Sequence, residues 1–222
     1  MLPWTTIGSA RVPGDGEEMR LLQRGGEYSI RVGAFELMNN RVHASEDALA
    51  SLVCERLGDA GSARVLIGGL GMGFTLAAVL RGVGARAEVV VAELVPEVVA
   101  WNRGPLAHVA ANPLGDRRVK VHEGDVAELI RKARGAWDAI VLDVDNGPVA
   151  LTSKNNQWLY TRSGLRAART ALRPGGVLAV WSAARDAAFA YRLHEAGFSV
   201  EEIPVRGRES GRGPRFLVWL AR

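Results

Sequence analysis

An apolar run, Arg64-Val65-Leu66-Ile67, enters closely spaced glycines, Gly68-Gly69-Leu70-Gly71-Met72-Gly73, and leaves them as an Ala/Leu-rich helical pattern from Phe74. Strand, glycine-rich turn and helix in that order bring backbone next to a nucleotide. Glycine accepts positive φ in the turn and has no Cβ to block a ligand. The same unit also serves as a plain packing turn, so the rest of the chain has to decide between the two.

From Arg64 onward the chain alternates strand and helix. Strands are expected at Val65–Gly68, Glu88–Ala92, Val119–His122, Ala139–Leu142, Val177–Trp181, Ser199–Pro204 and Arg215–Leu220. Helices are expected over Phe74–Arg81, Pro96–Arg103, Val126–Arg134, Asn156–Leu172 and Asp186–Ala196. Short Val- and Ile-rich runs are what a parallel sheet covered on both faces requires. Two successive strands at the C-terminus break the alternation and imply a final hairpin. The expected fold is therefore α/β: a doubly wound, Rossmann-like seven-stranded sheet with an antiparallel last strand, preceded by a small N-terminal β-hairpin element.

Residues 1–18, with Pro3, Gly8, Pro13, Gly14 and Gly16, read as a flexible arm. Residues 19–58 read as a hairpin turning at Gly25-Gly26, a short third strand at Ala34–Met38 and a helix stopping at Gly58. Residues 59–222 read as a Rossmann-like domain, the one expected to carry any nucleoside site.

Composition narrows the function. The single Cys54 cannot make an intrachain disulfide and lies on an apolar helical face, which fits a buried structural thiol better than a nucleophile. Four dispersed histidines show no metal-ligand spacing, so no metal is expected. A net charge of +4 comes from arginines spread along the chain rather than from a basic run with interleaved aromatics, and no nucleic-acid partner is expected. No apolar run reaches membrane-spanning length and the N-terminus lacks a secretory pattern; a cytoplasmic protein without a membrane partner is expected.

In an open α/β sheet, ligands bind beyond the carboxyl ends of the strands. Those positions here are polar: Gly69, Leu70, Gly71 and Gly73 after the first core strand, Glu93 after the second, Gly124-Asp125-Val126 after the third, and Asp143-Val144-Asp145-Asn146 after the fourth. Glu93 follows the glycines by roughly 20 to 25 residues, the separation at which a carboxylate reaches the vicinal hydroxyls of a ribose; a helix cap is its other reading. Asp125 either binds an adenine amine or simply caps the helix starting at Val126.

These stations together resemble the class I S-adenosylmethionine-dependent methyltransferase fold, and within it the spermidine synthase-like group of polyamine aminopropyltransferases. The likeness rests on the glycine loop followed by Thr75-Leu76, Glu93-Leu94-Val95-Pro96, Glu123-Gly124-Asp125, Trp137 to Asp143, Leu159-Tyr160 and Leu172-Arg173-Pro174-Gly175-Gly176. It implies that the glycine loop, Glu93, Asp125 and Val126 hold an S-adenosyl sulfonium, either S-adenosylmethionine or its decarboxylated form. It implies Asp143 as the catalytic aspartate, with Asp145 and Asn146 at the substrate amine, a small molecule of the polyamine class. Asp143 also reads as a turn cap.

Met72 stands where the group has an aspartate contacting the aminopropyl end, which leaves methyl transfer to an unknown acceptor, or non-catalytic nucleoside binding, as alternatives. A nicotinamide dehydrogenase fits less well, because its glycine fingerprint continues to a third glycine and leaves Asp143 unexplained. The resemblance also implies a homodimer through the N-terminal strands; packing of those strands on the chain's own core is the other arrangement open to them.

Overall fold

The computed structural model describes residues 2–14, 16–144, 155–208, 210 and 213–222. Four antiparallel strands open the chain: β1 (Thr5–Arg11), β2 (Glu18–Arg24), β3 (Glu27–Val32) and β4 (Phe35–Asn39), paired in sequential order. The expected β2–β3 hairpin is present, turning at Gly25 with φ 58°. The expectation of a flexible arm fails for residues 5–11, which pair along β2 from Thr5↔Gln23 to Arg11↔Glu18. A second contact, invisible in local sequence, holds this strand: Gly8 lies against the Trp101 indole, so closely that a Cβ there would come within 2.6 Å of Nε1.

After α1 (Ala44–Cys54) come β5 (Arg64–Gly68), α2 (Phe74–Gly82), β6 (Glu88–Glu93), α3 (Pro96–Arg103), β7 (Val119–Glu123), α4 (Val126–Lys132) and β8 (Trp137–Leu142). They are followed by α5 (Arg162–Ala171), β9 (Leu172–Ser182), α6 (Ala187–Glu195), β10 (Val200–Arg206) and β11 (Arg215–Ala221). The seven core strands run in the order β10-β11-β9-β8-β5-β6-β7. The pairs from β9 through β8, β5 and β6 to β7 are parallel, and β11 is antiparallel to both neighbours. The last strand is thus inserted between β9 and β10, which buries Val218, Trp219 and Leu220.

The long helix expected from Asn156 is divided into a 3₁₀ segment, Asn155–Tyr160, and α5. Thr161 makes the break: its Oγ1 accepts from Gly164 N at 3.1 Å and so caps α5. Gly164 passes so near the Trp158 carbonyl that any Cβ would collide with it.

Alternation along the strands divides the core. Val65 and Ile67 face a cluster that includes Leu49 of α1, Val79 of α2 and Val98 of α3, and continues without a break into Leu21 and Ile30 of the N-terminal sheet. Leu66 faces the opposite cluster, with Ile130 of α4, Leu165 of α5, Phe189 of α6 and Trp219. Outside these clusters, Phe35 of β4 remains 73% exposed. Among the described residues, no helix is long and apolar enough to cross a membrane.

Candidate active site

Strand order reverses between β5 and β8, since the chain leaves β5 toward β6 and β7 and returns to β8 on the other side. A crevice at the carboxyl ends of adjoining parallel strands follows from that reversal. Here it is a cavity of about 430 Å³, lined from below by the ends of β5, β6, β7 and β8 and from above by residues of the N-terminal sheet, among them Met19, Ile30 and Met38.

The glycine loop forms its floor. Gly69 has φ 91°, and a Cβ there would fall 2.3 Å from the Asp143 carbonyl oxygen, so only glycine allows β5 and β8 to end side by side. Gly71, at φ 52°, receives the Met38 sulfur of the upper sheet in the space a Cβ would take. Leu70 and Gly71 both line the cavity. Gly73 is not among the residues that line the cavity: at φ 84° it caps α2 and packs against Pro113 and Asn102. Met72 is fully buried in the core and is absent from the cavity wall, so its side chain does not occupy the place of a ligand-contacting acid.

Glu93 lies at the end of β6 and is buried. Its Oε2 accepts from Leu70 N at 3.0 Å and its Oε1 from Val95 N at 2.9 Å, so the carboxylate fastens the glycine loop as well as lining the cavity. Burial raises its pKa, opposed by the backbone N–H groups around it. Asn102 holds the loop from α3, donating through Nδ2 to the Gly71 carbonyl at 2.8 Å. Asp125 does cap α4, with Oδ1 accepting from Ala127 N at 2.8 Å, and it also lines the cavity. Val126 lines the wall beside it and packs against Gly68.

Asp143 follows β8, enclosed by protein with one side on the cavity. Its Oδ2 accepts from the Thr75 hydroxyl at 2.6 Å. Burial pushes its pKa up, against the lowering effect of that hydrogen bond. Asp145 and Asn146 lie outside the described residues.

Glu46, in the acidic first turn of α1, lies at the site although it is not among the expected site residues; the signal that could have found it is the place of Ser45-Glu46 where the resembled group carries Tyr-His-Glu or Tyr-Gln-Glu. Packing of α1 against α2 and the sheet brings Glu46 to the cavity wall, buried, with Ser45 Oγ donating to its Oε2. Its carboxyl is pushed up to about 7, first by burial and then by the negative charge of Asp143. A carboxyl raised to about 7 by burial and by a neighbouring carboxylate retains its proton for part of the population near neutral pH.

The charge of the wall is one-sided. Glu17, Glu36, Glu46, Glu93, Asp125 and Asp143 line it, and no lysine, arginine or histidine does so among the described residues, in a chain whose net charge is +4. Glu36 is already occupied by Ser29 and Asn39 and Glu17 is exposed. Glu46, buried, and Asp143, half-buried, each accept a hydrogen bond from a hydroxyl, of Ser45 and Thr75 respectively.

The family model described as the spermine/spermidine synthase domain matches residues 48–187. A polyamine aminopropyltransferase of Nitrosomonas europaea is 37% identical over 94 residues, covering 41% of this chain and 27% of that protein, so the similarity spans about a quarter of the relative's length. The fold matches the crystal structure of spermidine synthase from Thermotoga maritima with a TM-score of 0.73 at 18% identity, over 97% of this chain and 72% of that one. A spermidine synthase in complex with the transition state analogue AdoDATO matches with a TM-score of 0.72 at 18% identity, over 97% of this chain and 71% of that one.

Proposed function

The chain belongs to the spermine/spermidine synthase domain family, and from that premise we propose that it transfers an aminopropyl group from decarboxylated S-adenosylmethionine to an amine. The observation that carries the reading is the acidic wall without a cationic side chain among the described residues. Both reactants are cationic, one at sulfur and at its terminal amine, the other as an ammonium. Full-length S-adenosylmethionine would bring a carboxylate into the same wall, where no described base meets it.

In this reading Glu93 binds the ribose hydroxyls with the lone pairs its backbone donors leave free, and Asp125 meets the adenine edge through Oδ2. The pair Glu46 and Asp143 takes the acceptor ammonium and accepts its proton. The freed nitrogen lone pair attacks the aminopropyl carbon next to sulfur; a C–N bond forms, the C–S bond breaks, and sulfur keeps the pair as a neutral thioether. The sulfonium is already an activated leaving group, so the protein's tasks are alignment and proton removal.

Calorimetry with the two sulfonium compounds tests the reading. Decarboxylated S-adenosylmethionine is expected to bind at least tenfold more tightly than S-adenosylmethionine, and to yield 5′-methylthioadenosine when an amine is supplied. Tighter binding of the carboxylated compound, with methyl transfer to any acceptor, would replace aminopropyl transfer by the methyltransferase alternative.

A further inference from the structure

The first turns of α1 and α2 each bring a hydroxyl to a carboxyl at the cavity, Ser45 to Glu46 and Thr75 to Asp143. How the two carboxyls stand to one another depends on how the helices are fixed at that end. Away from the cavity they pack closely, and the Cys54 sulfur takes the space that a Gly82 Cβ would need. At the cavity end the contact is a pair of rings. His43 stacks face to face on Phe74, with ring centroids 4.1 Å apart and planes inclined by 9°.

His43 occupies the N-cap of α1, yet its side chain makes no cap bond there. Ser, Thr, Asp or Asn at this position would accept from a free helical N–H. The imidazole is turned elsewhere: Nδ1 donates to Asp47 Oδ2 at 2.9 Å, and Asp47 Oδ1 accepts from Arg81 of α2. Both bonds are partly exposed and contribute little on their own, but the first holds the ring plane parallel to Phe74. The His43 carbonyl accepts from Glu46 N at 3.0 Å, so the ring and the backbone of Glu46 are tied together. On the other helix, Phe74 is buried in the cavity wall and directly precedes Thr75.

We infer that His43 is a positioning residue for the proton-accepting pair: stacked on Phe74, it sets the start of α1 against the start of α2 and thereby places Glu46 relative to Asp143. The inference rests on the aminopropyl-transfer reading and deepens it. His43 does not line the cavity, so it acts through Glu46 rather than on the reactants. The nucleoside stations at Glu93 and Asp125 belong to other elements, and the loss of the stack leaves them in place. Misplacing a reacting group by about 1 Å can cost about 10²-fold in rate.

The test measures 5′-methylthioadenosine release by the full chain from decarboxylated S-adenosylmethionine, with putrescine and with cadaverine. His43→Asn lacks the ring but supplies a cap acceptor. It is expected to keep the wild-type Tm and, within twofold, the KM for decarboxylated S-adenosylmethionine, while kcat falls about tenfold. His43→Phe keeps the ring and is expected to stay within threefold of the wild-type kcat. In a Phe74→Leu background, His43→Asn is expected to lower kcat no further, because contacting residues do not act independently. Should His43→Asn not fold, His43→Ser takes its place in both backgrounds. Wild-type kcat in the variant without the ring, or an equal loss in both backgrounds, overturns the inference and leaves aminopropyl transfer standing. No turnover of either amine by the wild-type protein removes aminopropyl transfer itself, and the inference with it.

Discussion

The Thr75 hydroxyl donates to Asp143 Oδ2 at 2.6 Å, joining the first turn of α2 to the end of β8 across the point where strand order reverses. The bond lowers a pKa that burial raises, so it keeps the carboxylate available as a proton acceptor. Thr75→Val should therefore move the acidic limb of the kcat/KM–pH profile to higher pH and reduce kcat about tenfold, while Thr75→Ser retains both. Asp143→Asn removes the acceptor itself and should cost about 10² to 10⁴ in kcat, the usual range for positioned general-base help. An unchanged acidic limb in Thr75→Val would separate the hydrogen bond from the chemistry.

Glu46 predicts a pH dependence of stability. Its carboxyl is raised from 4.5 to about 7 in the folded chain, so between those values the folded state holds a proton that the unfolded state has lost. That contribution is complete below the unfolded pKa and is lost as pH rises through the folded one; its upper size is about 3 kcal/mol at 1.36 kcal/mol per unit. Glu46→Gln keeps the shape and removes the titration. In thermal melts without ligand, the variant should gain on the wild type as pH rises from about 5 to 8. A difference in Tm that stays constant over this range would contradict the assignment.

Gly69 and Gly175 separate two costs that a positive φ combines. Both have φ near 80° to 90°, but Gly175 has nothing within 4 Å of its missing Cβ, whereas Gly69 faces the Asp143 carbonyl. Gly175→Ala should cost about 1 kcal/mol, from the left-handed backbone alone. Gly69→Ala should cost about 3 kcal/mol or more, since backbone must also move. Urea unfolding of the two variants provides the comparison, and equal losses would show that β5 and β8 do not need this approach.

Glu93→Gln tests the loop clasp. A glutamine has one side-chain oxygen for two backbone donors, so Leu70 N or Val95 N would face an amide N–H instead of an acceptor. A loss of about 1 to 3 kcal/mol in stability is expected from the buried unpaired donor. Affinity for 5′-methylthioadenosine, measured by calorimetry, should fall at least tenfold. Wild-type affinity in the variant would mean that Glu93 supports the loop without touching the ribose.

Much of this molecule is determined locally. Short Val- and Ile-rich runs, glycine-rich turns and capping residues are short-range signals, and they place every core strand and the glycine loop, Glu93, Asp125 and Asp143 at strand ends. Other features depend on partners distant in sequence. Thr5–Arg11 becomes a strand because β2 pairs with it and Trp101 lies against Gly8, and neither leaves a mark in the segment itself. Gly73 and Met72 share the spacing of a ligand loop, but the direction of the turn sends one to a packing contact and the other into the core.

The sequence by itself thus determined the layer architecture and the side of the sheet on which chemistry occurs, because both follow from periodicity and from the direction of parallel strands. Only the tertiary structure decided which side chains line the cavity. The placing of Glu46 and Asp143 on one cavity wall and the meeting of Trp181 with Phe216 depend on how α1 and the inserted β11 pack against the sheet. Burial and proximity, which set charge and affinity there, exist only once those elements are assembled.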